Sequence, residues 1–284
     1  MPLRSALDLL PRARAAGHAV GAFSIHSPEM VEAVFDAAEA AAAPVILQVG
    51  RRAVRNSGVE QCCAWVRQRA SRSAVPACLH LDHALDFDAV VRGLRAGCTS
   101  VMYDGAELPL AENARRTAEI VRLAHAAGVP VEAEVGRVGG VEDDISVEEA
   151  EARLAGPEAC ARFVAETGCD SLAPAVGSVH GLGSGVPRLR IDLLRRIAAV
   201  VPLPLVLHGG SGLDGAQMRA AIGAGVAKVN IDTELRRAFV AGLREGLEAH
   251  GPTDDPALAL AAGTAAVRAQ VAARIADFGA AGQA

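Results

Sequence analysis

Short apolar runs recur along the chain at 19–24 (AVGAFS), 44–49 (PVILQV), 76–82 (PACLHLD), 98–103 (CTSVMY), 129–135 (VPVEAEV), 169–176 (CDSLAPAV), 204–208 (PLVLH) and 225–231 (GVAKVNI). Their length and β-branched content suit buried strands, and a continuous apolar run suits a parallel sheet covered on both faces. Between them lie segments of helical periodicity, such as PEMVEAVFDAAEAA and LAENARRTAEIVRLAHAAG, the second stopping at Gly128. Eight strands alternating with helices predict an α/β protein with the (β/α)₈ TIM-barrel architecture. A doubly wound open sheet is the main rival, but the turn after the first run reads FSIHSPEM and not G-x-G-x-x-G. The stretch after Pro252 is also helical in pattern. The expectation is one barrel domain over 1–284, with 252–284 as a helical arm.

Composition narrows the picture. The 284 residues match the size of such a barrel, and 51% are hydrophobic but only 3% aromatic, so the core must be built from Ala, Val and Leu. A net charge of −5, with no basic block, speaks against nucleic acid as a partner. Six scattered cysteines without a C-x-x-C pair read as reduced thiols, and the opening MPLRSALDLL has no signal-peptide pattern. No stretch approaches a membrane span. These features predict a cytoplasmic protein with no membrane partner.

Polar chemistry collects where the predicted strands end, which is the catalytic rim of this fold. Strand three ends in Asp82-His83, strand four in Tyr103-Asp104, strand five carries Glu132 and Glu134, and strand six runs into GSVHG with His180. Strand seven ends on His208 and strand eight on Asn230-Ile231-Asp232-Thr233. Imidazoles arriving from three separate strands suit a zinc ion with an open position. A single histidine at a strand end is usually just a hydrogen-bonded residue; the convergence of three with acids beside them carries the inference. His80 is read as orienting Asp82 or satisfied in the core, and His18, His26, His125 and His250 as loop or helix-surface residues. The turn HGGSG at 208–212, ahead of helical sequence from Asp214, can bring backbone amides close to an oxyanion, with Ser211 adding a donor.

The segments HLDHA, VMYDGA, VEAEVGRVGG, GSVHG, LHGGSG and KVNIDTE, in this order and over nearly the whole chain, resemble the class II, zinc-dependent ketose-bisphosphate aldolases. The resemblance implies that His83, His180 and His208 ligate a catalytic Zn²⁺, with Asp104 and Glu134 close by, where a second metal or a monovalent cation can bind. It implies Asp82 as the acid/base at the substrate C4 hydroxyl and Glu142, in the GGVEDD loop, as the group moving the C3 proton. Ser24, Gly181, Gly209, Gly210 and Ser211, with Asn230, Ile231, Asp232 and Thr233, would hold dihydroxyacetone phosphate. The partner implied is a small sugar phosphate, and relatives assemble as homodimers or homotetramers. For Asp82 and His83 both to reach the pocket, the strand end must relax strict alternation.

The chain departs from the family at the aldehyde half. Ser24 stands where Asn is common, Ala106 where Ser is usual, and Asp255-Pro256-Ala257 replaces an Asp-Pro-Arg whose arginine contacts the far phosphate. Arg51 or Arg52 is a substitute from another direction; the alternative is an aldehyde without a terminal phosphate. Fructose and tagatose types stay open. Three rival readings also stay open. One is a Schiff-base aldolase using Lys228, the chain's single lysine, against Lys228 as a buried ion pair with Glu132. The others are a zinc hydrolase or lyase, and a non-catalytic assembly subunit.

Overall fold

A computed structural model describes residues 3–142, 145–147, 154–181, 188–251 and 255–284, and of residues 140–142, 145–147, 180 and 250 the backbone alone. The strands are β1 (Val20–Ser24), β2 (Val45–Val49), β3 (Ala77–Ala84), β4 (Ser100–Tyr103), β5 (Val131–Val135), β6 (Gly139–Glu142), β7 (Ile145–Val147), β8 (Ser171–Pro174), β9 (Val179–His180), β10 (Leu205–Leu207) and β11 (Val226–Ile231). The helices are α1 (Ala6–Ala16), α2 (Pro28–Ala40), α3 (Arg51–Ser57), α4 (Val59–Ala70), α5 (Phe87–Ala96), α6 (Leu110–Ala126), α7 (Pro157–Thr167), α8 (Ile191–Val200), α9 (Gly215–Gly223), α10 (Thr233–His250) and α11 (Pro256–Asp277).

Eight strands close in the order β1-β11-β10-β8-β5-β4-β3-β2, and their pairings are parallel. This is the expected (β/α)₈ barrel, and each of its strands falls inside one of the eight apolar runs or overlaps its end. Strand alternation divides the side chains into two sets. Leu47, Leu79, Leu81, Val101, Ala133, Leu172 and Val229 face outward into the core shared with the helices. The inward set starts apolar: Val20, Ala22, Ile46, Cys78 and Ala227 pack against Ala6, Leu9, Leu10 and Ala13 of α1, which plugs the N-terminal mouth. Higher up it turns polar. The register sets Gln48 opposite His80, His80 opposite Ser100, and Met102 opposite Glu132.

Two additions lie outside the barrel. A small sheet of order β7-β6-β9 links the segment after β5 to the segment after β8. The C-terminal helix α11 runs against α10 and α2, and the α10 end of that hairpin meets α11 where Gly246 packs on Ala259 and Ala262. All six cysteines are buried free thiols. No helix of the described residues is long and apolar enough to cross a membrane.

Candidate active site

The site begins with a bulge in β3. Leu81 lies opposite Val101 and Ala84 opposite Tyr103, so three steps along β3 face two along β4. The extra residue is absorbed at His83, whose φ of 50 lies in the left-handed region that a side chain rarely occupies. Alternation is relaxed there, and Asp82 and His83 both reach the interior. Asp82, His83 and His208, all buried, each offer a ligand atom within 4.8 Å of the others.

The imidazoles are held by acids. His83 Nδ1 donates to Asp104 Oδ2 at 2.7 Å, and Asp104 Oδ1 accepts the Ala106 amide at 3.0 Å. His208 stands between two carboxylates, 3.0 Å from Glu134 through Nδ1 and 3.0 Å from Glu132 through Nε2. Burial opposes charge on His83, but Asp82 beside it, with Asp104 and Glu134, outweighs burial and lifts the ring to about 10. Burial opposes charge on His208 too; its bonds to Glu132 and Glu134 raise it nonetheless. Burial pushes the Asp104 carboxyl up, and its bond to His83 reverses this and holds it near 2. Asp82, Asp104, Glu132 and Glu134 thus converge with Lys228 as the one permanent cation among them. That excess of buried negative charge, together with two imidazoles and a carboxylate at mutual ligand distance, fits a divalent cation.

Below the ligand layer, Lys228 Nζ donates to both oxygens of Glu132 at 2.8 and 3.0 Å and lies 3.4 Å from His80 Nε2. His80 Nδ1 contacts Ser100 Oγ at 2.9 Å; burial, then the charge of Lys228, keeps the ring below its ordinary pKa. Of the two readings of Lys228, the structure shows the buried ion pair with Glu132. Asn230 Nδ2 donates to Asp82 Oδ1 at 3.3 Å. Asn230 Oδ1 and both polar atoms of Gln48 are buried without a hydrogen-bond partner among the described residues. Ser24, buried at the end of β1, lies opposite Gln48.

The glycine-rich turn follows β10. Gly209 has φ 63, and a Cβ on it would sit 2.6 Å from the Val179 carbonyl oxygen; one on Gly210 would sit 2.8 Å from the Asn230 carbonyl oxygen. Both glycines are demanded by the close approach of the turn to β9 and β11. Asp214 then caps α9 by accepting the Gln217 amide at 2.8 Å. Ser211 is buried in the turn. Across from it, Asp232 is bonded by His26 Nε2 and Arg236 Nε at 2.7 and 2.8 Å, and Arg236 also reaches Thr233 Oγ1 at 3.1 Å. Ile231 packs outward in the core, so only its backbone is available to a ligand.

His180 and Glu142 lie outside the described side chains. Their backbones are in the small sheet, with Gly140 of β6 opposite His180 of β9, and Gly181 follows with φ 80. Sequence reasoning missed Glu132 as a partner of His208, Gln48 and His26. Glu132 shares the inward parity of Glu134, and Gln48 is the one polar residue in VILQV, so both left a signal. The 206-residue separation of His26 and Asp232 left none. Ala257 sits at the start of α11, its amide bonded to Asp255. Its neighbour Ala259 packs at Gly246, about 18 Å along α10 from Glu234 by helical rise.

A barrel with buried histidines and carboxylates converging at the C-terminal mouth is the architecture of a barrel enzyme with a candidate metal centre. Comparison with known proteins agrees. The family described as class II fructose-bisphosphate aldolase matches residues 4–283. The chain is 39% identical over 287 residues to a probable fructose-bisphosphate aldolase of Bacillus subtilis (strain 168), covering 100% of each. It is 36% identical over 275 residues to a sulfofructosephosphate aldolase of Alkalicoccus urumqiensis, covering 97% and 96%. The crystal structure of the YdjI aldolase from Escherichia coli K12 superposes with a TM-score of 0.89 at 32% identity, over 99% of each chain. The chain belongs to the class II fructose-bisphosphate aldolase family. It is an aldehyde-lyase.

Proposed function

We propose that this aldolase is zinc-dependent and that it makes and cleaves a ketose phosphate through the enediolate of dihydroxyacetone phosphate. The observation that carries the reading is the consecutive pair Asp82-His83 at the β3 bulge, with His208 at ligand distance. His83 and His208, with His180 as the third ligand implied by the motif, would hold the ion, and Asp104 and Glu134 would orient His83 and His208 or share a second cation. Bound there, zinc would act as a Lewis acid for the negative charge that develops on the enediolate oxygens.

The protein's own residues supply the rest. Asp82, fixed by Asn230, is poised to take the proton from the C4 hydroxyl in cleavage and return it in condensation. The amides of Gly209, Gly210 and Ser211, with those after Asn230, would cradle the phosphate. Glu142 would move the C3 proton. The relatives' names cover both fructose-bisphosphate and sulfofructosephosphate aldolases, which supports shared carbon–carbon chemistry with a variable aldehyde half. Fructose or tagatose 1,6-bisphosphate is the first substrate to try.

The test is exchange of the C3 proton of dihydroxyacetone phosphate with solvent, followed by NMR on chelator-treated and zinc-restored protein. Exchange lost on chelation and regained with zinc is expected; exchange indifferent to chelation would overturn the reading.

A further inference from the structure

A cavity of about 430 Å³ opens beside Asp82 and His83, between α3, the start of α4 and the β3–α5 turn. This lies within the roughly 300–1,000 Å³ of small-molecule sites. Val54, Val59 and Leu81 form an apolar lining, and three guanidinium groups, of Arg51, Arg55 and Arg92, share the walls with the carboxylates of Asp82 and Asp86.

Most of these charges are already engaged. Arg92 is paired with Glu60 at 3.0 Å. Asp86 caps α5 through the Ala89 amide at 2.7 Å, and Asp82 is held by Asn230 at 3.3 Å. Arg51 differs: it is half-buried, and its side chain makes no hydrogen bond or ion pair among the described residues. Arg55 follows it by one turn of α3 and lines the same space. A partly desolvated guanidinium beside apolar walls is the complement of an oxyanion.

Position gives this cavity its role. In the closed order of strands, β3 lies four places from β10 in either direction. The cavity beside β3 and the glycine-rich turn after β10 are therefore on opposite sides of the mouth, with Asp82, His83 and His208 between them. We propose that the cavity receives the aldehyde half of the substrate and that Arg51, supported by Arg55, binds an anionic group at its far end. The ligand class is a short aldehyde ending in a phosphate, sulfonate or carboxylate. The inference rests on the dihydroxyacetone-phosphate reading above and assigns its acceptor end.

The test uses zinc-loaded, full-length protein and condensation of dihydroxyacetone phosphate with glyceraldehyde 3-phosphate, a sulfonated three-carbon aldehyde and neutral glyceraldehyde. The readout is the ratio of kcat/KM for each anionic aldehyde to that for the neutral one, which does not depend on the fraction of folded enzyme. Wild type is expected to favour at least one anionic aldehyde, the preferred one separating the phosphate from the sulfonate source. Arg51→Gln should lower that ratio by about tenfold or more, through KM; Arg51→Lys should keep part of it, and Arg51→Glu should favour the neutral aldehyde. An unchanged ratio in Arg51→Gln, or a wild type that prefers glyceraldehyde, overturns the inference alone. Failure of wild type to exchange the dihydroxyacetone-phosphate proton without any aldehyde overturns the underlying reading, and this inference with it.

Discussion

Glu234 and Arg274 join the glycine-rich turn after β10 to the C-terminal helix. Glu234, at the start of α10, accepts the amide of Gly212 at 2.6 Å, Gln270 Nε2 at 2.7 Å and Arg274 Nε at 2.8 Å. One carboxylate therefore anchors the glycine-rich turn to the C-terminal helix. Burial pushes the Glu234 carboxyl up, but the bond from Arg274 and the Gly212 amide more than offset this and hold it below its ordinary value. A depressed carboxyl contributes stability that is complete above its unfolded value, about pH 4.5, and that fades as pH falls through the lower folded value. Glu234→Gln should cost about 2 kcal/mol near neutrality. The difference in Tm between wild type and variant should shrink below about pH 4.5; a difference constant from pH 7 to acid would contradict the assignment.

Asp104 fixes the ring of His83 through Nδ1. Asp104→Asn should weaken metal retention by about 10–100-fold, as loss of a group orienting a ligand does. Titration of chelator-stripped protein with zinc, read by competition with a chromophoric chelator, measures this directly.

Asp82→Asn should retain zinc and the exchange of the dihydroxyacetone-phosphate proton but lose about 10²–10⁴-fold in cleavage, the usual contribution of a positioned acid/base. Parallel loss of exchange and cleavage would instead mean that Asp82 serves the metal or the enediolate, and not the C4 hydroxyl.

Lys228 and Glu132 are buried at 2.8 Å. Removing either partner strands a charge, so Lys228→Met and Glu132→Gln should each destabilise by about 3–5 kcal/mol, with the double variant recovering part of the loss. Denaturant midpoints of the four proteins give the coupling. Borohydride with substrate should leave Lys228 unmodified, because its amine is tied to both oxygens of Glu132 below the ligand layer; trapping at Lys228 would revive the Schiff-base alternative.

Gly210→Ala would bring a methyl within 2.8 Å of the Asn230 carbonyl oxygen. The turn must shift away from β11, at about 1–3 kcal/mol of stability. KM for dihydroxyacetone phosphate should rise, whereas the same substitution at Gly223, where a Cβ meets no atom within 4 Å, should leave it unchanged.

The barrel was legible in the order of residues because its causes are local. Eight apolar runs bounded by glycine, proline and helical periodicity predict strands, and the two-residue repeat sends Glu132 and Glu134, and likewise Lys228, Asn230 and Asp232, to one side of their strands. Asp82, His83 and His208 were legible as strand-end polar residues with no place in a core. Tertiary structure alone decided which of them meet and how. The left-handed turn at His83 that defeats alternation depends on the register between β3 and β4. The contact of His26 with Asp232, and the place of Arg51 and not Arg52 on the cavity wall, depend on how the barrel closes and how α3 packs. Periodicity carries information over one or two turns of a helix or a few residues of a strand; closure brings together segments some 200 residues apart, and the chemistry of this site resides in those long-range meetings.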